Sequence, residues 1–200
     1  NSDDNMRLQE EFLSYLVERA LERCSDELQV LDRDTSKLEG VIPPFPRVSY
    51  TEALEILKEK GSNTEWGMDL GATDEAALME DHDLPLFVYN YPKRAKAFYM
   101  KENPDDSDTV LCNDLLAPEG YGEIIGGSQR EDDLDRLAAR IREEGLPEEA
   151  YVWYLDLRRY GSFPHSGFGL GLERTVAWIT GRHHIREMIP FPRLMNRLYP

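Results

Sequence analysis

The sequence is poor in cysteine, short of positive charge and free of long apolar runs. Its two cysteines, Cys24 and Cys112, stand far apart with no CxxC spacing. That excludes a disulfide framework or a cysteine-built zinc site and fits reduced thiols in the cytoplasm. Lys and Arg number 23 against 39 Asp and Glu, a formal net charge of −16. Such a surface does not grip a nucleic-acid backbone on its own, because phosphate contacts need Lys and Arg. Basic character is local, in Arg182, Arg186, Arg193 and Arg197 beside His183 and His184. No apolar stretch approaches the roughly 20 residues that cross a bilayer, so no membrane partner is expected. Asn1-Ser-Asp-Asp-Asn5 has neither the basic nor the apolar region of a signal peptide. The chain also opens without an initiator Met, so its start need not be a natural one.

What is present suits one globular domain. The 200 residues, 40% hydrophobic and 31% charged, suffice for a real core. Phe12, Leu13, Leu16, Val17, Ala20 and Leu21 recur at helical spacing, predicting an amphipathic helix over 3–24 with Asp3 or Asp4 as its cap. Pro43, Pro44 and Pro46 make 32–48 a loop. Ser49-Tyr-Thr-Glu52 is a capping box opening a second helix that Gly61 closes, and a short third follows Thr73. Four β-type runs, Leu86–Tyr91, Ala97–Met100, Thr109–Leu116 and Gly122–Gln129, are separated by Pro, Asn, Asp and Gly. Short separations of this kind imply hairpins. Leu134, Leu137, Ala138 and Ile141 mark a helix stopped at Gly145-Leu-Pro147; residues 148–160 form another, with Trp153 and Leu157 inward. A Gly-rich approach, Phe163–Gly169, leads to a last helix near 170–180 that Gly181 ends. The fold class is α+β, an antiparallel β-sheet flanked by helices, in a single domain over 1–200.

Three segments carry chemistry. In Gly167-Phe-Gly-Leu-Gly-Leu-Glu-Arg174, glycines admit a ligand to the backbone and the following helix aims free N–H groups at it. Arg174, in the first turn, suits a phosphate. This describes a nucleotide site, although Gly-rich turns into helices are as often purely structural; it is neither a Walker A loop nor a dinucleotide fingerprint. In Asp114 to Arg130, strand geometry lets Glu123 and Arg130 flank one pocket with Gly126 and Gly127 as its floor. Glu123 there suits Mg²⁺, which takes hard oxygen ligands, and Arg130 suits a carboxylate or carbonyl oxygen; the plain alternative is a salt-bridged sheet edge. In Trp153 to Gly167, His165 lies in a loop where it can donate to a substrate carboxylate or phosphate, or serve only structure. Arg158 and Arg159 fit a solvated or ion-paired helix end, and Tyr89, Tyr91, Phe98 and Tyr99 fit the core better than a base-stacking platform.

Gly169-Leu-Gly-Leu-Glu-Arg174, followed by Ile185-Arg-Glu-Met-Ile-Pro-Phe-Pro-Arg193, resembles motif 3 of the class II aminoacyl-tRNA synthetases, in the subgroup for aspartate, asparagine and lysine. Gly122-Glu-Ile-Ile-Gly-Gly-Ser-Gln-Arg-Glu131 and the segment Trp153 to Gly167 look like its asparaginyl members. Aspartyl members usually carry Arg-Ile-His and His-Gly-Gly where this chain has Arg130-Glu131-Asp132 and His165-Ser166-Gly167. The resemblance runs from about Asp3 to Pro200.

It implies a ligase that uses ATP to activate asparagine as its adenylate and then transfers it to the 3′ end of tRNA. Carried over by position, Arg174 holds the γ-phosphate, and Glu123 binds ATP and Mg²⁺, with Asp114 a weaker metal candidate. Gly169 and Gly171 floor the adenosine site, with Leu172 and Glu173 beside them. Arg130 contacts the asparagine side-chain carbonyl, with Gly126 in the same subsite, and His165 lies near the amino acid in a mobile loop. The family's motif 1 (its homodimer interface), motif 2 and anticodon-binding barrel find no match here, so the expectation is the C-terminal part of a catalytic domain. Two other readings share the fold: a paralog making asparagine from aspartate, and a non-catalytic module that binds nucleotide or amino acid.

Overall fold

The computed structural model describes residues 1–199. The chain enters on α1 (Ser2–Arg23), whose N-cap is Asn1. Asp4 is the third helical residue, and its carboxylate closes the capping box from inside the helix; neither Asp3 nor Asp4 is the cap itself. A short helix α2 (Ser25–Val30) follows; another, α3 (Ser36–Glu39), breaks the expected loop, and a short strand β1 (Arg47–Ser49) ends it. The Ser49 capping box is formed and starts α4 (Tyr50–Glu59). That helix closes with Gly61 at φ +87°, where the Gly61 N–H reaches Lys58 O and the Ser62 N–H reaches Leu57 O, a Schellman ending. Helix α5 (Ala72–Met79) follows as expected.

Five strands form the main sheet in the order β1-β2-β5-β6-β7. They are β1, β2 (Leu86–Tyr89), β5 (Cys112–Ala117), β6 (Gly122–Gln129) and β7 (Ser166–Leu170). All neighbours are antiparallel except β1 and β2, which run parallel. The sheet is therefore mixed, because the helical crossover of α4 and α5 returns the chain beside β1 in the same direction. The run Thr109–Leu116 is split at Leu111 between β4 (Asp106–Val110), which pairs with β3 (Glu102–Asn103), and β5. Ala97–Met100 is not a strand: Met100 N–H closes a turn on Ala97 O. Only Met100 bridges the β-structure, and Phe98 and Tyr99 roll onto a small outlying core.

Alternation along the strands sorts the side chains into two layers. One face carries Phe87, Leu115 and Ile125 and packs against Met6, Leu13 and Val17 of α1 and Trp178 of α8 (Leu172–Thr180). The other carries Leu86, Val88, Cys112 and Leu116 and packs against Tyr50, Ala53 and Leu57 of α4 and Leu78 of α5. The outlying core lies between α6 (Leu134–Glu143) and α7 (Val152–Arg159).

Helix α7 is turned differently from its sequence reading. A 3₁₀ turn over Glu148–Tyr151 precedes it and shifts its phase, so Leu155 and Arg158 face inward. Trp153 and Leu157 point out, 65% and 55% exposed. Nor is Arg158 a solvated helix end. It is buried, its Nε donates to Glu131 O at 2.9 Å, and its guanidinium lies 4.3 Å over the Tyr154 ring. Arg159 is exposed and paired with Asp156. Of the four aromatics assigned to the core, Tyr91 is buried, while Tyr89, Phe98 and Tyr99 are half-buried. Among the described residues no helix is long and apolar enough to cross a membrane.

Where α1 crosses the sheet the interface is polar. Gln9 and Asn113 exchange reciprocal amide hydrogen bonds at 3.2 and 2.7 Å, and Asn5 Nδ2 donates to Gly167 O at 3.2 Å. Gly127 makes room for this cluster: a methyl there would lie 2.6 Å from Gln9 Nε2 and 2.9 Å from both Asn113 Oδ1 and Asn5 Nδ2. Buried amides left without partners cost about 1–3 kcal/mol. Gly127→Ala is therefore expected to lower stability by about 1–3 kcal/mol through overpacking. Chemical denaturation checks it, and a midpoint equal to that of the parent protein contradicts it.

Candidate functional site

The helices leave part of the second face uncovered where β6 and β7 run side by side. Val88, Asp114, Gly126 and Gly169 pair in one row across the sheet. A methyl at Gly169 would meet nothing within 4 Å, and one at Gly126 would lie 2.7 Å from Glu123 Oε1 and 3.7 Å from Asp114 Oδ1. The floor is thus bare backbone, with two carboxylates converging on its edge.

Glu123 reaches this face through an irregularity. In a regular strand, odd Glu123 and even Arg130 point to opposite sides. The register between β5 and β6 shifts by one residue: Ile125 pairs with Leu115, but Glu123 pairs with Leu116. The extra residue turns Glu123 onto the side of Gly126 and Arg130.

Glu123, Gly126, Gly169, Gly171, Glu173 and Arg174 line a cavity of about 230 Å³ together with Ile124 and Ile185. Arg174 is the third residue of α8, exposed, and its Nη1 donates to Glu123 O at 2.6 Å. Gly171 caps α8 and its N–H reaches Ile124 O at 2.8 Å, bringing the helix N-terminus over the cavity. Its free N–H groups and the Arg174 guanidinium make this end anion-binding. Leu172 points away, 64% exposed and outside the lining.

Two expected residues lie elsewhere. Arg130 stands toward the start of β7: its Nη2 is 3.4 Å from the position a methyl would take at Gly167, its guanidinium lies 4.9 Å over the Tyr99 ring, and it bonds Ser128 Oγ. It lines a different hollow from Glu123, so the two flank one strand face but not one pocket. His165 touches Arg130 only through the backbone, Arg130 N–H to His165 O at 2.9 Å. Its ring Nδ1 donates to Phe163 O, also at 2.9 Å, and it lines neither cavity.

Three neighbours carried no sequence signal. Lys96 sits between Asp114 Oδ2 at 2.8 Å and Asp69 Oδ1 at 3.0 Å, with its ammonium 3.9 Å from the Tyr91 ring centre. Burial opposes its charge, but Asp114 and Asp69 outweigh burial and hold Lys96 protonated well above its ordinary range. Glu75 of α5 accepts the Glu123 N–H at 3.1 Å and fixes that end of β6; burial raises its carboxyl. Glu123 itself is pushed up to about 7, first by burial, then by the charge of Asp114, against the pull of Lys96.

A family model described as tRNA synthetases class II (D, K and N) matches residues 1–195. The chain belongs to this family. Among solved class II synthetases it is similar to the asparaginyl-tRNA synthetase of Pyrococcus horikoshii complexed with asparaginyl-adenylate, at 58% identity and TM-score 0.97, covering all of this chain and 46% of that one. The Entamoeba histolytica asparaginyl enzyme is 31% identical with TM-score 0.91, covering 100% and 46%. The aspartyl enzyme of the same organism is 28% identical with TM-score 0.88, covering 100% and 42%. The chain thus spans less than half the length of these synthetases.

A divalent cation at this floor would have to rest on carboxylates. No cluster of three or more His, Cys, Asp or Glu side chains in metal-holding geometry exists among the described residues. Mg²⁺ commonly takes one or two carboxylates and completes its shell with water and substrate phosphates; Glu123 would supply one, and Asp114, buried and bonded to Lys96 at 2.8 Å, would be the weaker second.

The raised Glu123 carboxyl also makes stability pH-dependent. Between about 4.5 and about 7 the folded protein holds a proton there that the unfolded chain has released. Stability therefore falls as pH rises through that window. Glu123→Gln removes this loss, so its melting temperature is expected above that of the parent at pH 8 and level with it at pH 4.5. Equal differences at both pH values contradict the assignment.

Proposed function

We propose that this chain supplies the ATP- and asparagine-binding half of an asparagine–tRNA ligase, an enzyme that activates asparagine as its adenylate and transfers it to tRNA. The observation that carries the reading is the order of groups along β7. The Arg130 guanidinium stands at Gly167, the bare floor and Glu123 at Gly169, and the Arg174 guanidinium beyond Gly171. Gly167 to Gly171 spans about 13 Å at the rise of a β-strand, so an amino acid and a triphosphate lie end to end. The 58% identity to an asparaginyl enzyme supports asparagine as the amino acid, as do Glu131-Asp132 and Ser166 where aspartyl members differ.

In this arrangement Arg130 donates to the side-chain carbonyl of asparagine, and His165 lies beside it on the loop before β7. Gly126 and Gly169 let the substrate lie against backbone, and Gly171 with the helix N-terminus receives the nucleotide. Arg174 holds the γ-phosphate. Mg²⁺ bound at Glu123 and Asp114 would offset phosphate charge. The asparagine carboxylate then attacks the α-phosphorus, forming the acyl–phosphate bond as pyrophosphate leaves. The protein's work is alignment and charge compensation. Cytoplasmic location and a homodimeric whole enzyme belong to the same reading.

The test is asparagine-dependent ATP–pyrophosphate exchange by the longest natural polypeptide containing these residues, with aspartate as control. Exchange with asparagine and little with aspartate is expected; preference for aspartate overturns the assignment. Arg174→Ala is expected to cut exchange at least about 100-fold, the scale of losing a charge-stabilising donor, with the melting temperature unchanged. Parent-like exchange would remove Arg174 from the site.

A further inference from the structure

Lys96 has no part in the reading above. It follows the 3₁₀ turn Lys93–Ala95 in extended backbone. Its Nζ lies 2.8 Å from Asp114 Oδ2 and 3.0 Å from Asp69 Oδ1, and 3.9 Å from the centre of the Tyr91 ring. Its side chain is only 12% exposed. Four carboxylates act on one another here, those of Asp69, Glu75, Asp114 and Glu123. Among the described residues Lys96 is the one cation in contact with any of them; Arg174 bonds the backbone of Glu123 instead. Asp114 is thereby divided. Its Oδ2 is taken by the ammonium. Its Oδ1 lies 3.7 Å from the position a methyl would take at Gly126, and Glu123 Oε1 lies 2.7 Å from the same point.

We infer that Lys96 stands in for a second divalent cation at this face, holding Asp114 and Asp69 by its ammonium and leaving one ion to be bound at Glu123. The inference rests on the proposed function. A lysine ammonium is a compact point charge with three donors. A divalent ion in its place would find the same two carboxylate oxygens, the hard donors such ions take. With neither cation, Asp114 would be a buried, unpaired carboxylate, which is strongly disfavoured. The built-in cation needs no ion uptake and fixes Asp114 in one orientation before nucleotide arrives. The second oxygen of Asp114 is then set beside Glu123, and a single ion can rest on both. Lys96 touches neither asparagine nor ATP in this arrangement; it is a positioning residue that acts through Asp114.

The test is Mn²⁺ binding, counted by electron paramagnetic resonance of the free ion, with melting temperatures taken in chelator and in Mn²⁺. It uses the polypeptide of the exchange assay, without nucleotide; Mn²⁺ takes the same oxygen ligands as Mg²⁺. Lys96→Met is expected to melt below the parent in chelator. It holds one Mn²⁺ more than the parent and regains most of the lost melting temperature on binding it, whereas the parent's melting temperature moves little. Lys96→Met/Asp114→Asn has no buried carboxylate left to free, so it gains neither the ion nor the rescue. Lys96→Arg keeps the charge and the parent's ion count. An ion count that Lys96→Met leaves unchanged, equal rescue of parent and variant, rescue of the double variant, or an extra ion in Lys96→Arg overturns the inference. So does a Lys96→Met chain that stays unfolded in Mn²⁺. ATP binding by the parent separates the two failures. If ATP does not bind, the proposed function has failed; if ATP binds but Lys96→Met takes up no further ion, only this inference has.

Discussion

The structure turns on two adjacent residues without side chains. Gly126 and Gly127 stand in the middle of β6, and strand alternation sends their missing side chains to opposite faces. On one face the space at Gly127 is filled by amides of α1, with Gln9 and Asn113 paired and Asn5 holding β7 by the Gly167 carbonyl. On the other face the space at Gly126 is taken by the Glu123 carboxylate, next to the open space at Gly169. A side chain at either glycine would close the sheet on that side. One dipeptide thus lets a polar helix seat closely behind the sheet and a ligand lie closely in front of it. The amide contacts behind also fix β7, the strand along which the proposed substrates are ordered.

The second constraint is the one-residue register shift between β5 and β6. Without it Glu123 would face the apolar layer formed by α1 and α8, where an unpaired carboxylate is strongly disfavoured. With it the carboxylate reaches the open floor, and its backbone N–H is held by Glu75. Bulges of this kind often re-aim a side chain next to a site. Here the shift also leaves Ile124 and Ile125 both buried in the layer beneath α8, so re-aiming Glu123 exposes no apolar side chain in compensation.

Much of this was legible in the residues, for identifiable reasons. Helix starts such as Ser49 to Glu52 and ends such as Gly61 and Gly181 are local hydrogen-bonding arrangements, and they appear where the sequence placed them. The span of β6 and the approach of Gly169, Gly171 and Arg174 follow from glycine spacing. What misled is tertiary. Ala97–Met100 has strand-like residues, but Phe98 and Tyr99 find a better burial against α6 and α7 than a ladder offers. Trp153 and Leu157 sit at inward helical spacing only if the helix runs unbroken from residue 148, and the 3₁₀ turn shifts that phase. Lys96, Asp69 and Glu75 carry no signal in the sequence, because nothing local distinguishes a lysine that will lie between two carboxylates brought from distant segments.

The electrostatics of the open face then follow from which charges are already matched. Lys96 is committed to Asp69 and Asp114, and Arg174 is tethered to a neutral carbonyl of β6 rather than to an acid. Among the described residues the guanidinium beyond Gly171 is therefore free of a carboxylate partner, while Glu123, near the middle of the floor, has no cationic partner in contact there and is pushed toward the neutral form by burial and by Asp114. A polyanion entering from the α8 end meets the helix N-terminus and Arg174 first. It meets acidic side chains at Glu173 and Glu123, and a divalent cation at Glu123 would compete with the proton for the same oxygen atoms. Charge along β7 alternates, positive at both ends through Arg130 and Arg174 and acidic between, so it matches a molecule whose ends are electron-rich and whose middle carries a cation.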